Sequence, residues 1–256
     1  MTMLVAERHE RIVRLVNERG SIRVSELSEI CNVTEETIRR DLDRLEEAGR
    51  LIRSHGGAVS ITDSQPEIPY LVREVMRMEE KKRIAKLAVS YIEPHDRIIL
   101  DASTTAWYMA AIVPDIPLTV LTNSIKVAME LSTKEKVEVI STGGTLAPHS
   151  LSFLGPSAER SLDQYHVDKV FLSCKGIHLE RGISESNEMQ ALVKKKMINI
   201  SDKVFLLADT SKIGVQAFTY FAALSQIDEI ITDDEVDAMT IRQLEEKNIK
   251  VTVASK

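Results

Sequence analysis

The sequence predicts an α/β chain in two parts, a small helical domain closed by a hairpin and a larger open α/β domain behind it. Three observations carry this. Residues 1–65 contain no proline and no aromatic residue; the first of each are Pro66 and Tyr70. Inside that stretch, apolar residues recur at helical spacing and are followed by a Gly56-Gly57 pair between alternating residues. From Arg97 onward, short β-branched runs alternate with helical stretches, the pattern of a largely parallel sheet.

The first helix is predicted over Ala6–Arg19, with Ile12, Leu15, Val16 and Arg19 spaced along one side and Gly20 as its stop. The second runs from Val24 to Cys31 and buries Val24, Leu27, Ile30 and Cys31. Asn32-Val33 makes a tight corner. Thr34 is placed as an N-cap, with Glu35 and Glu36 in the first turn beside the positive helix end. The third helix continues to about Ala48 and stops at Gly49. Residues 1–61 thus form one domain and the polar stretch 62–69 a linker, leaving 70–256 as the second domain. In that second domain a long helix is predicted over Tyr70–Ile92. Strands are predicted at Arg97–Leu100, Leu118–Leu121, Val137–Ile140, Val167–Leu172, Val204–Ala208, Glu229–Thr232 and Lys250–Val253. Helices between them include Thr105–Ile112, Ser124–Leu131, Asn187–Ile200 and Val236–Glu246.

Hydrophobic residues make up 43% of the chain, enough for a real core, and no apolar run approaches the roughly 18 residues needed to cross a membrane. The N-terminal residues carry no secretory signal pattern, so a cytoplasmic protein without membrane contact is expected. Cys31 and Cys174 form no C-x-x-C pair and lie near no histidine cluster, so neither a metal site nor a cofactor is expected. Cys31 reads as a small buried hydrophobe.

Wound at about 100° per residue, the third helix gathers Ile38, Leu42 and Leu45 on one narrow side, which must bury. Glu36, Arg40, Asp43, Arg44 and Glu47 lie opposite, with Thr37 adjacent and Arg39 on the other flank. Two short helices around a corner, the second bearing arginines, fit a helix-turn-helix, with the hairpin that follows as its wing; taken alone, the same amphipathic helices fit a dimerisation module equally well. In helix-turn-helix docking the N-terminal half of the second helix approaches base edges. Thr37 and Arg40 are therefore candidates for groove contact, and Arg39 and Arg44 for phosphates, with Thr34 at the helix start. Glu36 is placed either to accept from a cytosine amino group or to repel a wrong register. Arg53, Ser54 and His55 at the wing reach toward backbone or minor groove. The charge balance is adverse: residues 1–60 hold ten Arg, no Lys and eleven acidic residues, and the whole chain carries −6. Bulk attraction is thereby excluded as the main mechanism, and binding must depend on where the arginines point. The absence of aromatics in this segment argues against a single-strand or RNA reader, which needs stacking platforms.

The residues V-S-E-L, T-E-E-T-I-R-R-D-L-D-R-L-E and S-H-G-G-A resemble the DeoR family of bacterial transcription regulators, densely over residues 6–60. The resemblance implies a winged helix-turn-helix and, in most members, repression of a sugar-metabolism operon.

In the second domain small polar loops follow five predicted strands: Asp101–Thr105, Thr122–Ser124, Thr142–Thr145, Lys175-Gly176 and Asp209–Lys212. Ligands of open α/β sheets bind beyond the carboxyl ends of the strands, and hydroxyls, amides and lysines gathered there suit an oxyanion. D-A-S-T-T, T-N-S, T-G-G-T, V-D-K-V-F, V-K-K-K-M-I and A-D-T-S-K-I-G are similar to the family's C-terminal sensor domain, related in fold to sugar-phosphate isomerases. That resemblance implies a phosphorylated sugar near Ser103, Thr104, Thr105, Asn123, Gly143, Gly144 and Lys212. Two departures stand out. Ser103 replaces a usual glycine, and Ser173-Cys174-Lys175-Gly176 has Lys175 where an aspartate is usual, so Lys175 can pair with phosphate or carboxylate. Glu185, Asn187 and Glu188 can meet sugar hydroxyls or cap the next helix.

The leading expectation is a repressor on a double-stranded DNA operator, relieved by a phosphosugar and working as a homodimer or homotetramer, since paired half-sites need paired helices. The alternative is an isomerase-like enzyme with an appended DNA-binding domain. Asp101, Asp168, Glu188, Asp209 and Lys175 offer acids and bases, but no two are spaced to demand catalysis and Cys174 has no histidine partner, so no catalytic residue is assigned. Neither a P-loop nor a G-x-G-x-x-G fingerprint is present.

Overall fold

The structure, a computed structural model, describes residues 5–19, 21–48, 50–54, 56–59 and 68–255. The predicted helix stops Gly20 and Gly49, the wing residue His55 and most of the predicted linker lie outside the described residues. The chain divides into two compact units, Met1–Met76 and Arg77–Lys256.

The first unit runs α1 (Val5–Arg19), β1 (Ser21–Arg23), α2 (Val24–Cys31), α3 (Glu35–Glu47), β2 (Ile52–Ser54), β3 (Gly57–Val59) and α4 (Tyr70–Val75). Its core joins Ile12 and Val16 of α1, Leu27 and Cys31 of α2, Ile38, Leu42 and Leu45 of α3, and Leu51. Cys31 is buried and burial raises its thiol pKa, as befits a packing residue. Asn32 makes the corner in the left-handed region, at φ 52° and ψ 49°, which its short polar side chain tolerates. Ser28 Oγ donates to Val33 O at 2.6 Å and closes that corner. Thr34 caps α3: its Oγ1 accepts from Thr37 N at 3.3 Å, a contact worth about 1 kcal/mol.

The wing is a three-stranded antiparallel sheet in the order β1-β3-β2. The sequence reading missed β1, which is too short for an alternating pattern. Gly57 is required where β3 crosses β1, because a Cβ there would lie 2.0 Å from Ile22 O. Gly57→Ala is expected to destabilise the first unit by about 1–3 kcal/mol, the usual cost of overpacking. Urea unfolding followed by far-ultraviolet circular dichroism measures it.

The second unit runs α5 (Met78–Val89), β4 (Arg97–Leu100), α6 (Thr104–Ile112), β5 (Leu118–Thr122), α7 (Ile125–Leu131), β6 (Val137–Ser141), β7 (Thr145–Ala147), β8 (Ser152–Leu154), α8 (Pro156–Leu162) and β9 (Val167–Leu172). It continues with β10 (Gly176–His178), β11 (Gly182–Glu185), α9 (Glu188–Asn199), β12 (Ser201–Leu207), β13 (Thr219–Ala222), β14 (Glu229–Asp233), α10 (Ala238–Glu245) and β15 (Lys250–Ala254). The single helix expected over Tyr70–Ile92 is two helices. Met76 is extended, and Arg77 is left-handed at φ 48° and ψ 43°. The Arg77 guanidinium meets Asp209, Glu80 and Glu235, contacts that hold this residue where α5 begins.

Among the described residues, the seven expected strands form one parallel sheet in the order β15-β14-β12-β9-β4-β5-β6. Successive strand residues bury on opposite faces. Ile98, Leu100, Val120 and Phe205 pack with Ile84 of α5, Ala106 of α6 and Val127 of α7. Ile99, Leu121, Val170 and Leu206 pack with Ala158 of α8, Met197 of α9 and Leu244 of α10. Helices thus cover both faces, as all-parallel sheets require. The order steps outward from β4 through β5 to β6, then returns to β9 on the other side of β4 and runs out to β15. The reversal point lies between β4 and β9, where sheets of this kind open a crevice beyond the strand ends.

Candidate nucleic-acid interface and effector site

On α3, Thr34, Glu36, Arg39, Arg40 and Arg44 are exposed and Thr37 is half-buried. Arg39 Nη2 donates to Glu35 Oε2 at 2.7 Å, and Arg40 Nε lies 3.6 Å from Glu36 Oε1. These are exposed pairs, each worth no more than about 1 kcal/mol. Phosphate or guanine can displace them at small cost. The wing is tied to α3 through Arg53, whose guanidinium pairs with Asp43 and whose backbone N–H donates to Glu46 Oε1 at 2.7 Å. Ser54 ends β2. Glu36, Arg40 and Arg44 therefore share the solvent-facing side of α3, Thr37 adjoins it half-buried, Arg39 lies on the other flank, and Arg53 is braced against Asp43 and Glu46.

Sequence reasoning passed over Asp41. It falls on the buried stripe, three residues after Ile38 and four before Leu45, and is only 3% exposed. Its Oδ2 accepts from Arg8 Nε at 2.5 Å and its Oδ1 from Arg8 Nη2 at 3.2 Å, while His9 Nε2 lies 3.0 Å from Oδ1. Burial pushes this carboxyl upward, but the hydrogen bonds from Arg8 and His9 outweigh it and leave the pKa lowered. A charge on an apolar stripe was the available signal.

In the second unit the carboxyl ends of β4 and β9 are stitched together by Asp101, which is fully buried. Asp101 Oδ1 accepts from Ser103 N at 3.0 Å, and Oδ2 accepts from Ser173 N, also at 3.0 Å. Lys194 reaches in from α9. Its Nζ donates to Glu185 Oε2 at 2.5 Å and to Ser173 O at 2.7 Å, and lies 3.4 Å from Asp101 Oδ2. Burial disfavours the Lys194 charge, yet Glu185 and Asp101 more than reverse that, so its pKa is raised and it stays protonated. Lys194 was not predicted. Its signal was a lysine among buried positions of α9, between Ala191 and Met197.

The predicted effector residues are spread unevenly about the reversal point. Ser103, Thr104 and Thr105 open α6 and are buried; Ser103 Oγ accepts from Ala106 N at 3.1 Å and caps the helix. Lys175 follows β9 and is half-buried. Lys212, half-buried, ends the loop after β12, whose Asp209 accepts from Ser211 N at 3.1 Å and whose Thr210 donates to Asp233. Asn123, after β5, is 2% exposed; its Nδ2 donates to Phe153 O at 3.2 Å, while its Oδ1 has no hydrogen-bond partner. Gly143 and Gly144 follow the edge strand β6, both at positive φ. At Gly144 a Cβ would lie 2.8 Å from Leu154 O, so only glycine closes the β7–β8 hairpin there. That hairpin returns toward α9, where Gln190 Nε2 donates to Ser152 Oγ at 3.0 Å. Neighbouring strands lie about 4.8 Å apart, which puts the β12 and β6 ends roughly 19 Å from each other. A small ligand at the reversal point is thus much closer to Ser103–Thr105, Lys175 and Lys212 than to the β6 end of the row.

Cys174 is buried and its thiol is pushed up to about 12, chiefly by burial and then by Glu185. It is no nucleophile near neutral pH. Asn187 caps α9 by accepting from Gln190 N, the structural side of the two roles open to it. Among the described residues no three His, Cys, Asp or Glu side chains gather as metal ligands, and no helix is long and apolar enough to cross a membrane.

The two halves match two family models, a DeoR-like helix-turn-helix domain over residues 8–64 and a DeoR C-terminal sensor domain over residues 76–234. The chain belongs to the DeoR family of transcription regulators. Among its relatives, this DeoR-family chain is 58% identical to the uncharacterized HTH-type transcriptional regulator YulB of Bacillus subtilis, over 98% of this chain and 97% of that protein. It is 39% identical to the HTH-type transcriptional repressor GlcR of Bacillus subtilis, over 90% and 89% respectively. It is 34% identical to a putative aga operon transcriptional repressor of Escherichia coli O157:H7, over 96% and 93%. A D-ribose-5-phosphate isomerase structure overlaps 53% of this chain and 54% of its own, at 16% identity and a TM-score of 0.40, too distant to bear on substrate or chemistry. This DeoR-family regulator thus joins a helix-turn-helix unit to a sensor domain built on a doubly wound sheet.

Proposed function

We propose that this regulator represses a carbohydrate-utilisation operon in the cytoplasm and releases it when a phosphorylated sugar binds at the reversal point of its sheet. The observation that carries the reading is the reversal of strand order between β4 and β9. The buried N-terminus of α6 at Ser103–Thr105 faces the strand ends, with Lys175 and Lys212 on the loops alongside. A helix N-terminus offers unpaired N–H groups to an oxyanion, and lysines add the opposite charge. The relatives described as repressors, one of them of an aga operon, support the direction of control. On DNA, Thr37 and Arg40 read base edges, Arg39 and Arg44 hold phosphates, and two copies of the chain at least supply paired helices to paired half-sites.

An enzymatic role has little support. A general base needs a pKa near the working pH. Lys194 is instead held charged by two carboxylates, and Cys174 is held neutral. The ligand acts through its different affinity for the DNA-competent state and the released state.

The test is fluorescence anisotropy on a duplex selected from a random library by the wild-type protein, titrated with glucose 6-phosphate, fructose 6-phosphate, fructose 1,6-bisphosphate, galactosamine 6-phosphate and inorganic phosphate. One of the sugars is expected to weaken binding about 5- to 150-fold, the usual range of such coupling. Lys212→Ala should abolish that response without changing affinity in its absence. Affinity indifferent to every compound, together with steady turnover of any of them, would favour the enzyme.

A further inference from the structure

The apolar side of α3 does not by itself fix how far the helix is rolled about its axis. Ile38, Leu42 and Leu45 make non-directional contacts, and cores of this kind repack readily when shapes shift. A roll of 20° at a helix radius of 5–6 Å, side chains included, moves the outer part of a side chain by about 2 Å. That is far more than a hydrogen bond to a base edge tolerates. Something directional is needed, and the described residues contain it. Asp41 is clasped through both oxygens by Arg8, itself only 6% exposed, and is met on one oxygen by His9. Both partners come from α1, over 30 residues away in sequence. A two-point guanidinium–carboxylate contact fixes orientation as well as distance. Arg40 precedes Asp41 directly and Arg44 follows three residues on, so the clasp sets where both point.

We propose that Asp41 is a positioning residue for DNA reading: Arg8 and His9 hold it, and through it they fix the roll of α3 and the aim of Arg40 and Arg44. It touches no DNA itself. The inference rests on α3 being the recognition helix. It also accounts for a buried charge whose contribution to stability need not be large, since replacing such pairs by apolar groups is often neutral or better.

The experiment compares Kd for the duplex selected by the wild-type protein with Kd for a scrambled duplex of equal length, in wild type, Asp41→Asn, Arg8→Met/Asp41→Leu and Arg40→Ala. A merely structural loss lowers both affinities by one factor and leaves their ratio unchanged. The expected result is a ratio at least tenfold smaller for Asp41→Asn and for the double variant. Circular dichroism of the double variant should remain that of wild type, because its buried charges are removed together. A folded double variant with the wild-type ratio overturns the proposal. So does failure of both Asp41 variants to fold, which would make the clasp a stability element. If Arg40→Ala also keeps the ratio, the reading of α3 has failed; if only Arg40→Ala lowers it, the failure belongs to Asp41 alone.

Discussion

Changing Arg39 and Arg40 together to alanine is expected to lower affinity for the selected duplex by about a hundredfold, with the fold intact. An arginine read against guanine discriminates by roughly 1–3 kcal/mol, and a phosphate contact adds to it. Loss of the phosphate contact should also flatten the slope of log affinity against log salt by about one unit. Nothing else can compensate, because the unit has no surplus of positive charge to fall back on. Residues 1–60 are net −1, and α3 itself carries Glu35, Glu36, Asp43, Glu46 and Glu47 on exposed positions. That acidity weakens non-specific attraction, so whatever affinity exists is concentrated in a few aimed guanidinium groups. The pairs Arg39–Glu35 and Arg40–Glu36 are exposed, so deleting the arginines costs the free protein little. Isothermal or anisotropy titration at three salt concentrations separates the two contributions. Unchanged affinity in a folded variant would remove α3 from the interface.

Much of this was legible beforehand, and the limits have physical causes. Parallel strands buried on both faces read as continuous apolar runs, so Arg97–Leu100 and Val167–Leu172 were found to the residue. The cap at Thr34 was legible because it is a short polar residue ahead of a helical pattern, and it does accept from its helix. Strand order was not legible, since it depends on pairing between distant segments, and with it went the reversal point that singles out the β4/β9 loops. The hairpin β7–β8 and the small sheet β10-β11-β13 escaped because three- and four-residue strands leave no period to detect. Met76-Arg77 carries no helix breaker; the break is held by contacts between Arg77 and Asp209 and Glu235, over a hundred residues on. Asp41 and Lys194 were missed for one shared reason. Each is a charge on a side expected to be apolar, and each is explained only by partners that the fold brings in from elsewhere.

Replacing Lys194 with methionine is the second large effect expected, a loss of about 3–5 kcal/mol in the second unit. Methionine fills most of the same volume, so the change is chiefly electrostatic. It would leave Asp101, fully buried, and Glu185, 8% exposed, facing each other without their shared cation. Domains of ordinary stability have 5–15 kcal/mol in all, so the variant would unfold readily on modest warming. Trp107, the chain's single tryptophan, lies on α6 in this unit and reports its unfolding without signal from the first. The sign of the pH dependence is a separate check. In wild type the Lys194 pKa is raised in the folded state, so its contribution is complete below the ordinary lysine range and fades only as the pH rises through that raised value. In the variant that contribution is missing. The deficit against wild type should therefore stay constant from about pH 5 to pH 8 and shrink only as the pH rises beyond the ordinary lysine range. Asp101 also holds the backbone of Ser103 and Ser173, so loosening it should spread to the loops proposed to receive the ligand. If Lys194→Met unfolded within about 1 kcal/mol of wild type at neutral pH, the trio would be a weak pair at a wet site rather than the staple of two buried strand ends.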